Sequence, residues 1–290
     1  MTTILDPLYG RVDLPDFVRD IVHTPELQRL SEIRLMNVPG WTMLGATTTT
    51  RLEHALGVAH LADVYSTARR LPDLERNNLI LGCLIHDVAS FPYGHLVEHI
   101  FKRFFPGSPD HSQRLLADIF NNKEDLPIYR GAGCELYRKL LRSVTTFGRS
   151  PRLAACLVLG PEAVQDSDDV TYYDTLSKDV VSGLHRLISG SMNLDNIDNV
   201  FRVASRFGLR FDTHTPERLT ASVVLSGPLI RVHEEHVSLI EEWQRVRAEV
   251  YEIFFTHPDI LAMKTLLTYC VEHCLCSGQL HEHDWVQTDV

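Results

Sequence analysis

Apolar residues recur at intervals of three and four along most of this chain, the spacing of one buried helix face. The pattern predicts helices over 51–70 and 74–88, then over 94–105 and 110–121, the last two joined by Pro106-Gly107-Ser108-Pro109. Further helices are predicted at 134–146, 151–158, 176–189, 194–207 and 216–225, and two longer ones at 232–256 and 258–276. Residues 14–36 read as two helices broken at Thr24-Pro25, with Thr24 as N-cap of the second. Thr50 stands where it can cap the helix beginning at Arg51.

The remaining stretches are shorter. Residues 1–13 read as an extended start with a turn at Tyr9-Gly10. Residues 37–50 and 122–133 read as loops, and 160–175 as a solvated acidic loop. Alternation with period two is confined to 224–233 and 207–214, each a candidate for short strands. The polar tail after Gly278 is expected to be disordered. The fold class is therefore mainly α. Residues 1–210 are expected to form the core, and 211–290 a packed C-terminal helical extension of the same domain.

Composition narrows the function classes. Hydrophobic residues make up 44% and charged residues 23%, ordinary for a globular protein. No apolar run reaches the roughly 18 residues of a membrane span, so no membrane partner is expected. The start MTTILDPLYG lacks a basic region followed by an apolar core, which argues against a secretory signal and for a cytoplasmic protein. The six cysteines then read as reduced thiols, with Cys83 and Cys156 in apolar runs and therefore in the core. A net charge of −10 disfavours a nucleic-acid polymer as partner and leaves small anionic substrates open. A homo-oligomer is compatible with this composition.

The candidate chemistry lies between Arg51 and His99. His54 sits early in one predicted helix, and the adjacent His86 and Asp87 sit at the end of the next. A histidine on one helix and a His-Asp pair on another can converge on one divalent cation, because a hydrolytic metal takes mixed nitrogen and oxygen ligands and keeps positions open. Neighbours point apart on a regular helix, so the helix must end or distort near His86; Ser90, Pro92 and Gly94 allow that. A third helix must supply a further carboxylate, and Asp195 is the candidate, with Asp198 near it on the same helix.

These residues resemble the HD-domain metal-dependent phosphohydrolases, in their deoxynucleoside triphosphate triphosphohydrolase branch, which includes the sterile-alpha-motif and HD-domain protein. The likeness runs through Asp6-Pro7-Leu8-Tyr9-Gly10 and His23-Thr24-Pro25-Glu26-Leu27-Gln28-Arg29-Leu30. It is strongest over 51–111 and returns at 189–208 and 247–258. The resemblance implies a single HD-domain helical core. It implies His54, His86, Asp87 and Asp195 as ligands of one divalent ion, whether Mn, Fe, Ni, Co, Zn or Mg. It implies Arg51 as a phosphate contact, and Arg247 as a second one, although Phe255 stands where the family usually has Tyr. His95 and His111 would line the phosphate side and protonate the leaving oxygen, with Glu98 orienting His95.

Departures from the family pattern bear on the substrate. Ser90 stands where many relatives have His. The common Asp-Tyr-x-x-Arg-Asp is here Asp198-Asn199-Val200-Phe201-Arg202-Val203, and Leu35 replaces a glutamine that reads a deoxyribose hydroxyl. The expected function is therefore hydrolysis of a phosphate ester or anhydride of a nucleotide or related metabolite, outside standard selective dNTP hydrolysis. The alternatives are an HD-type di-iron oxygenase, which needs two further histidines, and a non-catalytic nucleotide-binding HD protein. The C-terminal run of Cys270, His273, Cys274, Cys276, His281 and His283 has no standard zinc-finger spacing and reads as a helix with thiols on its buried face.

Overall fold

A computed structural model describes residues 1–36, 48–106, 151–161, 176–227, 229–282, 284 and 288–289. The chain opens with an antiparallel hairpin of β1 (Thr2–Asp6) and β2 (Gly10–Leu14), paired from Thr2 with Leu14 to Asp6 with Gly10. Gly10 takes φ +73°, a left-handed conformation that glycine reaches without a Cβ penalty. Two short helices follow, α1 (Phe17–Val22) and α2 (Pro25–Arg29). Thr24 holds the N-cap position of α2, but its hydroxyl donates back to the Ile21 carbonyl at 2.7 Å instead of capping forward.

The predicted helices of the core are observed as α3 (Arg51–Arg69), α4 (Asp73–Ile85) and α5 (Gly94–Phe104). Thr50 caps α3 as expected, its hydroxyl accepting the Glu53 amide at 3.2 Å. Residues 78–85 of α4 are all buried, which makes it the central helix and explains its nearly unbroken apolar run. It lies between α3 on one side and α6 (Pro151–Leu159) on the other. Beyond α6 come α7 (Lys178–Ser189) and α8 (Leu194–Phe207), the latter packed across α3. The remaining helices are α9 (Thr215–Ser222), α10 (Val237–Thr256) and α11 (Pro258–Cys276).

The strand expectation over 224–233 is met by the hairpin of β3 (Val223–Ser226) and β4 (Leu229–Val232). The expectation over 207–214 is not. There the Asp212 carboxylate accepts the His214 amide at 3.0 Å and starts α9, so local polar bonding replaces a strand ladder. On α11 it is Val271 and Leu275 that face inward, while Cys270 and Cys276 are exposed. The thiols therefore do not share a buried face. Cys83 and Cys156 are buried in the core as expected.

The tail is anchored where it is described: both carboxylate oxygens of Asp289 accept main-chain amides, from Tyr93 and Arg34, each at 2.8 Å. The loop expected over 37–50, apart from its last three residues, most of 160–175, and the elements expected over 110–146 lie outside the described residues. Among the described residues no helix is long and apolar enough to cross a membrane.

Candidate metal centre

Three element ends meet at one place. α3 brings His54 one turn past its cap, α4 ends at Ile85 and delivers His86 and Asp87 in the following turn, and α8 brings Asp195 in its first turn. The helix end at His86 lets two neighbouring side chains serve one site. Asn193 caps α8 by accepting the Asn196 amide at 2.7 Å, and Asp195 two residues on gains from the partial positive charge of the helix start.

Ligand atoms of His54, His86 and Asp87 all lie within 4.8 Å of one another. His54 Nε2 is 2.9 Å from Asp195 Oδ1, and His86 Nε2 is 3.8 Å from both Asp195 Oδ1 and Asp87 Oδ2. The far nitrogens are committed elsewhere. His54 Nδ1 is 2.7 Å from Asp198 Oδ2, and His86 Nδ1 is 2.7 Å from the Cys83 carbonyl. Since a carbonyl only accepts, His86 carries its proton on Nδ1 and turns the Nε2 lone pair inward. That is the arrangement by which an outer carboxylate or carbonyl prepares an imidazole to bind a metal. The donor set of two such imidazoles and two carboxylates fits a divalent ion.

The electrostatics agree. Burial pulls the His54 imidazole down, but its bonds to Asp195 and Asp198 outweigh that and lift it to about 9. Burial likewise works against protonated His86, yet Asp87 and then Asp195 raise it. Burial pushes Asp195 up, while His54 and His86 hold it well below the usual carboxylate range. The proton that His54 holds between Asp195 and Asp198 thus supplies positive charge where a divalent ion would. The Asp195 side chain remains 37% exposed, which leaves the centre open on that side.

A buried network supports His54 from behind. Arg202 bonds both oxygens of Asp198, at 2.9 and 3.0 Å, and reaches Asp6 at 2.9 Å. The Tyr9 hydroxyl donates to Asp198 Oδ1 at 2.8 Å. The opposing pull of burial is overcome by Arg202 and then His54, and Asp198 titrates at about 2. Gly57 makes the crossing of α3 and α8 possible, because a Cβ there would overlap Arg202 Nη2 and Asp198 Oδ1. Asp198 was legible from its spacing to Asp195. The roles of Asp6 and Tyr9 were not, because nothing local ties an N-terminal hairpin to a helix nearly two hundred residues later.

The other expected residues fall in different places. Arg51 is buried, and its Nη1 meets Asp87 Oδ2 at 2.5 Å, so it stands at the centre but on a carboxylate. His95 Nδ1 lies 3.1 Å from Glu98 Oε2, and that bond raises the imidazole pKa against its partial burial. Arg247 lies with its guanidinium 4.5 Å from the Tyr251 ring, stacked along α10. His111 lies outside the described residues. One turn along α8 from Asp195, a cavity of about 200 Å³ is lined by Leu35, Asn199, Val203, Tyr251, Phe255 and Lys264.

Residues 51–168 match the family model of the HD domain. Over 289 residues, 98% of the chain, the sequence is 24% identical to the uncharacterized protein YwfO of Bacillus subtilis (strain 168), covering 57% of that protein. It is 30% identical over 113 residues to the deoxynucleoside triphosphate triphosphohydrolase SAMHD1 of Homo sapiens, which is 37% of this chain and 17% of that protein. The chain thus spans little more than half of one curated relative and under a fifth of the other. A crystal structure of a hypothetical protein from Aquifex aeolicus superposes with a TM-score of 0.72 at 18% identity, over 95% of this chain and 65% of that one, which shows a shared fold.

Proposed function

The chain carries an HD domain, and from that premise we propose that it is a metal-dependent phosphohydrolase acting on a phosphate ester or anhydride of a nucleotide or related metabolite. The observation that carries this reading is the convergence of His54, His86 and Asp87, with both imidazoles fixed from behind so that Nε2 faces the centre. Asp195 completes the set as the fourth ligand.

A bound divalent ion would polarise a phosphoryl oxygen and acidify a water. The chain's own residues do the rest. Arg51, already beside Asp87, is placed to share its remaining N–H donors with a phosphate oxygen, a geometry that suits a planar guanidinium. The bond to Glu98 raises the His95 imidazole above its ordinary pKa, and His95 would give a proton to the departing oxygen as the P–O bond breaks. His111 is retained as a second candidate on the phosphate side, and Arg247 as a second phosphate contact.

The cavity lined by Asn199 and Val203 of α8 supports a substrate with an organic part. Leu35, Val203 and the aromatic rings give it an apolar side, alongside the polar groups of Asn199 and Lys264. Residues 1–210 are taken as the phosphohydrolase core and 211–290 as its extension; the hydrophobic cluster that runs through Val250 and Leu275 supports one domain. A cytoplasmic location is retained as part of this reading.

The test is a phosphate-release screen of nucleotides and phosphorylated metabolites with Mg, Mn, Co, Ni and Fe, run alongside His86→Ala. Metal-dependent release that the variant lacks is expected. Two irons per chain with no release would favour the oxygenase, and tight nucleotide binding with no turnover on any metal would favour a binding protein.

A further inference from the structure

The segment after α4 is held from two directions. Its turn is closed by the Ser90 amide donating to the Asp87 carbonyl at 2.9 Å. From outside, buried Arg29 on α2 donates to the Ser90 carbonyl at 2.9 Å and to the Val88 carbonyl at 3.4 Å. Ser90 is itself buried, at 5% exposure, and its hydroxyl donates to Asp87 Oδ1 at 3.1 Å. The other oxygen, Oδ2, is the one that meets Arg51 and lies 3.8 Å from His86 Nε2.

A carboxylate bonded through one oxygen can rotate about its Cβ–Cγ bond, which leaves the second oxygen poorly aimed. Here each oxygen has its own donor on a different element, so the plane of the carboxylate is set. Read along the sequence, serine at position 90 is a lost imidazole. In three dimensions it is a donor gained by Asp87.

We propose that Ser90 is a positioning residue for Asp87, clamped in place by Arg29, and that its hydroxyl tunes how tightly the centre holds a divalent ion. This rests on the reading of His54, His86, Asp87 and Asp195 as a metal centre. Partners of this kind, bonded to a ligand and not to the ion, change metal affinity about 10–100-fold when removed.

The experiment measures Mn²⁺ binding by calorimetry to metal-stripped wild type, Ser90→Ala, Ser90→Thr and Ser90→Cys, with no substrate present, and the melting temperature of each. Ser90→Ala is expected to bind Mn²⁺ at least about 10-fold more weakly. Ser90→Thr, which keeps the hydroxyl, should stay within about threefold. Ser90→Cys, close in volume but a poor donor, should follow Ser90→Ala, and it decides the matter should the alanine variant not fold. Hydroxyl-lacking variants that melt lower yet bind Mn²⁺ as tightly as wild type would overturn the proposal, since Ser90 would then only close the turn. A wild type that binds no divalent ion would overturn the metal centre itself, and the positioning role with it.

Discussion

Arg51 Nη1 and Asp87 Oδ2 meet at 2.5 Å, both largely buried, at the junction of α3 with the turn that follows α4. The pair joins a side chain expected on phosphate to one expected on metal. On the proposed reading, phosphate and metal would be handled by groups in contact, so a change at one would be felt at the other. Arg51 is held in register from the backbone too, its amide donating to the Ile33 carbonyl at 2.8 Å.

Arg51→Ala is expected to retain the metal and to weaken productive binding of a phosphorylated substrate. A charge-assisted hydrogen bond contributes about 1.5–3 kcal/mol, or roughly a 10- to 150-fold loss in kcat/KM. Steady-state kinetics on the best substrate of the screen, with metal content measured in parallel, checks both halves. Unchanged kinetics would show that Arg51 serves Asp87 alone.

His86→Ala and Asp87→Ala should each abolish metal uptake and hydrolysis together. In Asp87→Ala, Arg51 also loses its buried partner, and leaving a buried charge uncompensated costs about 3–5 kcal/mol. That variant should therefore melt well below His86→Ala. Elemental analysis and calorimetry test this, and full metal occupancy in either variant refutes the assignment.

The pH dependence follows from His54. Its folded pKa, about 9, lies above the ordinary 6.5, so in the metal-stripped protein its bonds to Asp195 and Asp198 stabilise fully below about pH 6.5. That contribution is lost as pH rises through about 9. A metal must displace the same proton, so affinity for Mn²⁺ should rise over this window while the melting temperature of the stripped protein falls. Melting curves and calorimetry at pH 6.5 and 9 report the two trends, and parallel movement of both would contradict the assignment.

Gly57→Ala should destabilise the protein and loosen the centre together, because the added methyl meets the Asp198–Arg202 pair. Overpacking of this kind costs about 1–3 kcal/mol. A lowered melting temperature with weaker Mn²⁺ binding is expected. An unchanged melting temperature would mean that the α3–α8 crossing has room to spare.

Substrate selectivity should be loose toward the sugar. Rejection of a substrate lacking a hydroxyl depends on buried polar groups left unpaired in its absence. In the cavity lined by Asn199, one turn along α8 from Asp195, those positions are held by Leu35, Asn199 and Val203. Activity on the four common dNTPs should be weak or unselective, with 3′-deoxy analogues accepted within about 10-fold. Fast triphosphate release with strong rejection of those analogues would disprove it.

The sequence by itself determined the mainly helical fold, because a spacing of three and four is a local property that each helix carries alone. It also determined the candidates His54, His86, Asp87 and Asp195, and the need for the helix to end or distort near His86, since the breakers Ser90, Pro92 and Gly94 lie alongside; that it ends, at Ile85, is a finding of the structure. Tertiary structure decided what could not be local. It set Arg51 on Asp87, Ser90 on the other oxygen of the same carboxylate, and Tyr9 and Asp6 from the first hairpin onto the Asp198–Arg202 pair behind His54. It laid Arg247 on Tyr251, turned Cys270 and Cys276 outward on α11, and left 209–214 outside any strand. The physical reason is that a residue's type and spacing state what it can bond to. Which partner it meets depends on how distant segments pack, and a hydrogen bond between Tyr9 and Asp198 leaves no trace in the periodicity of either.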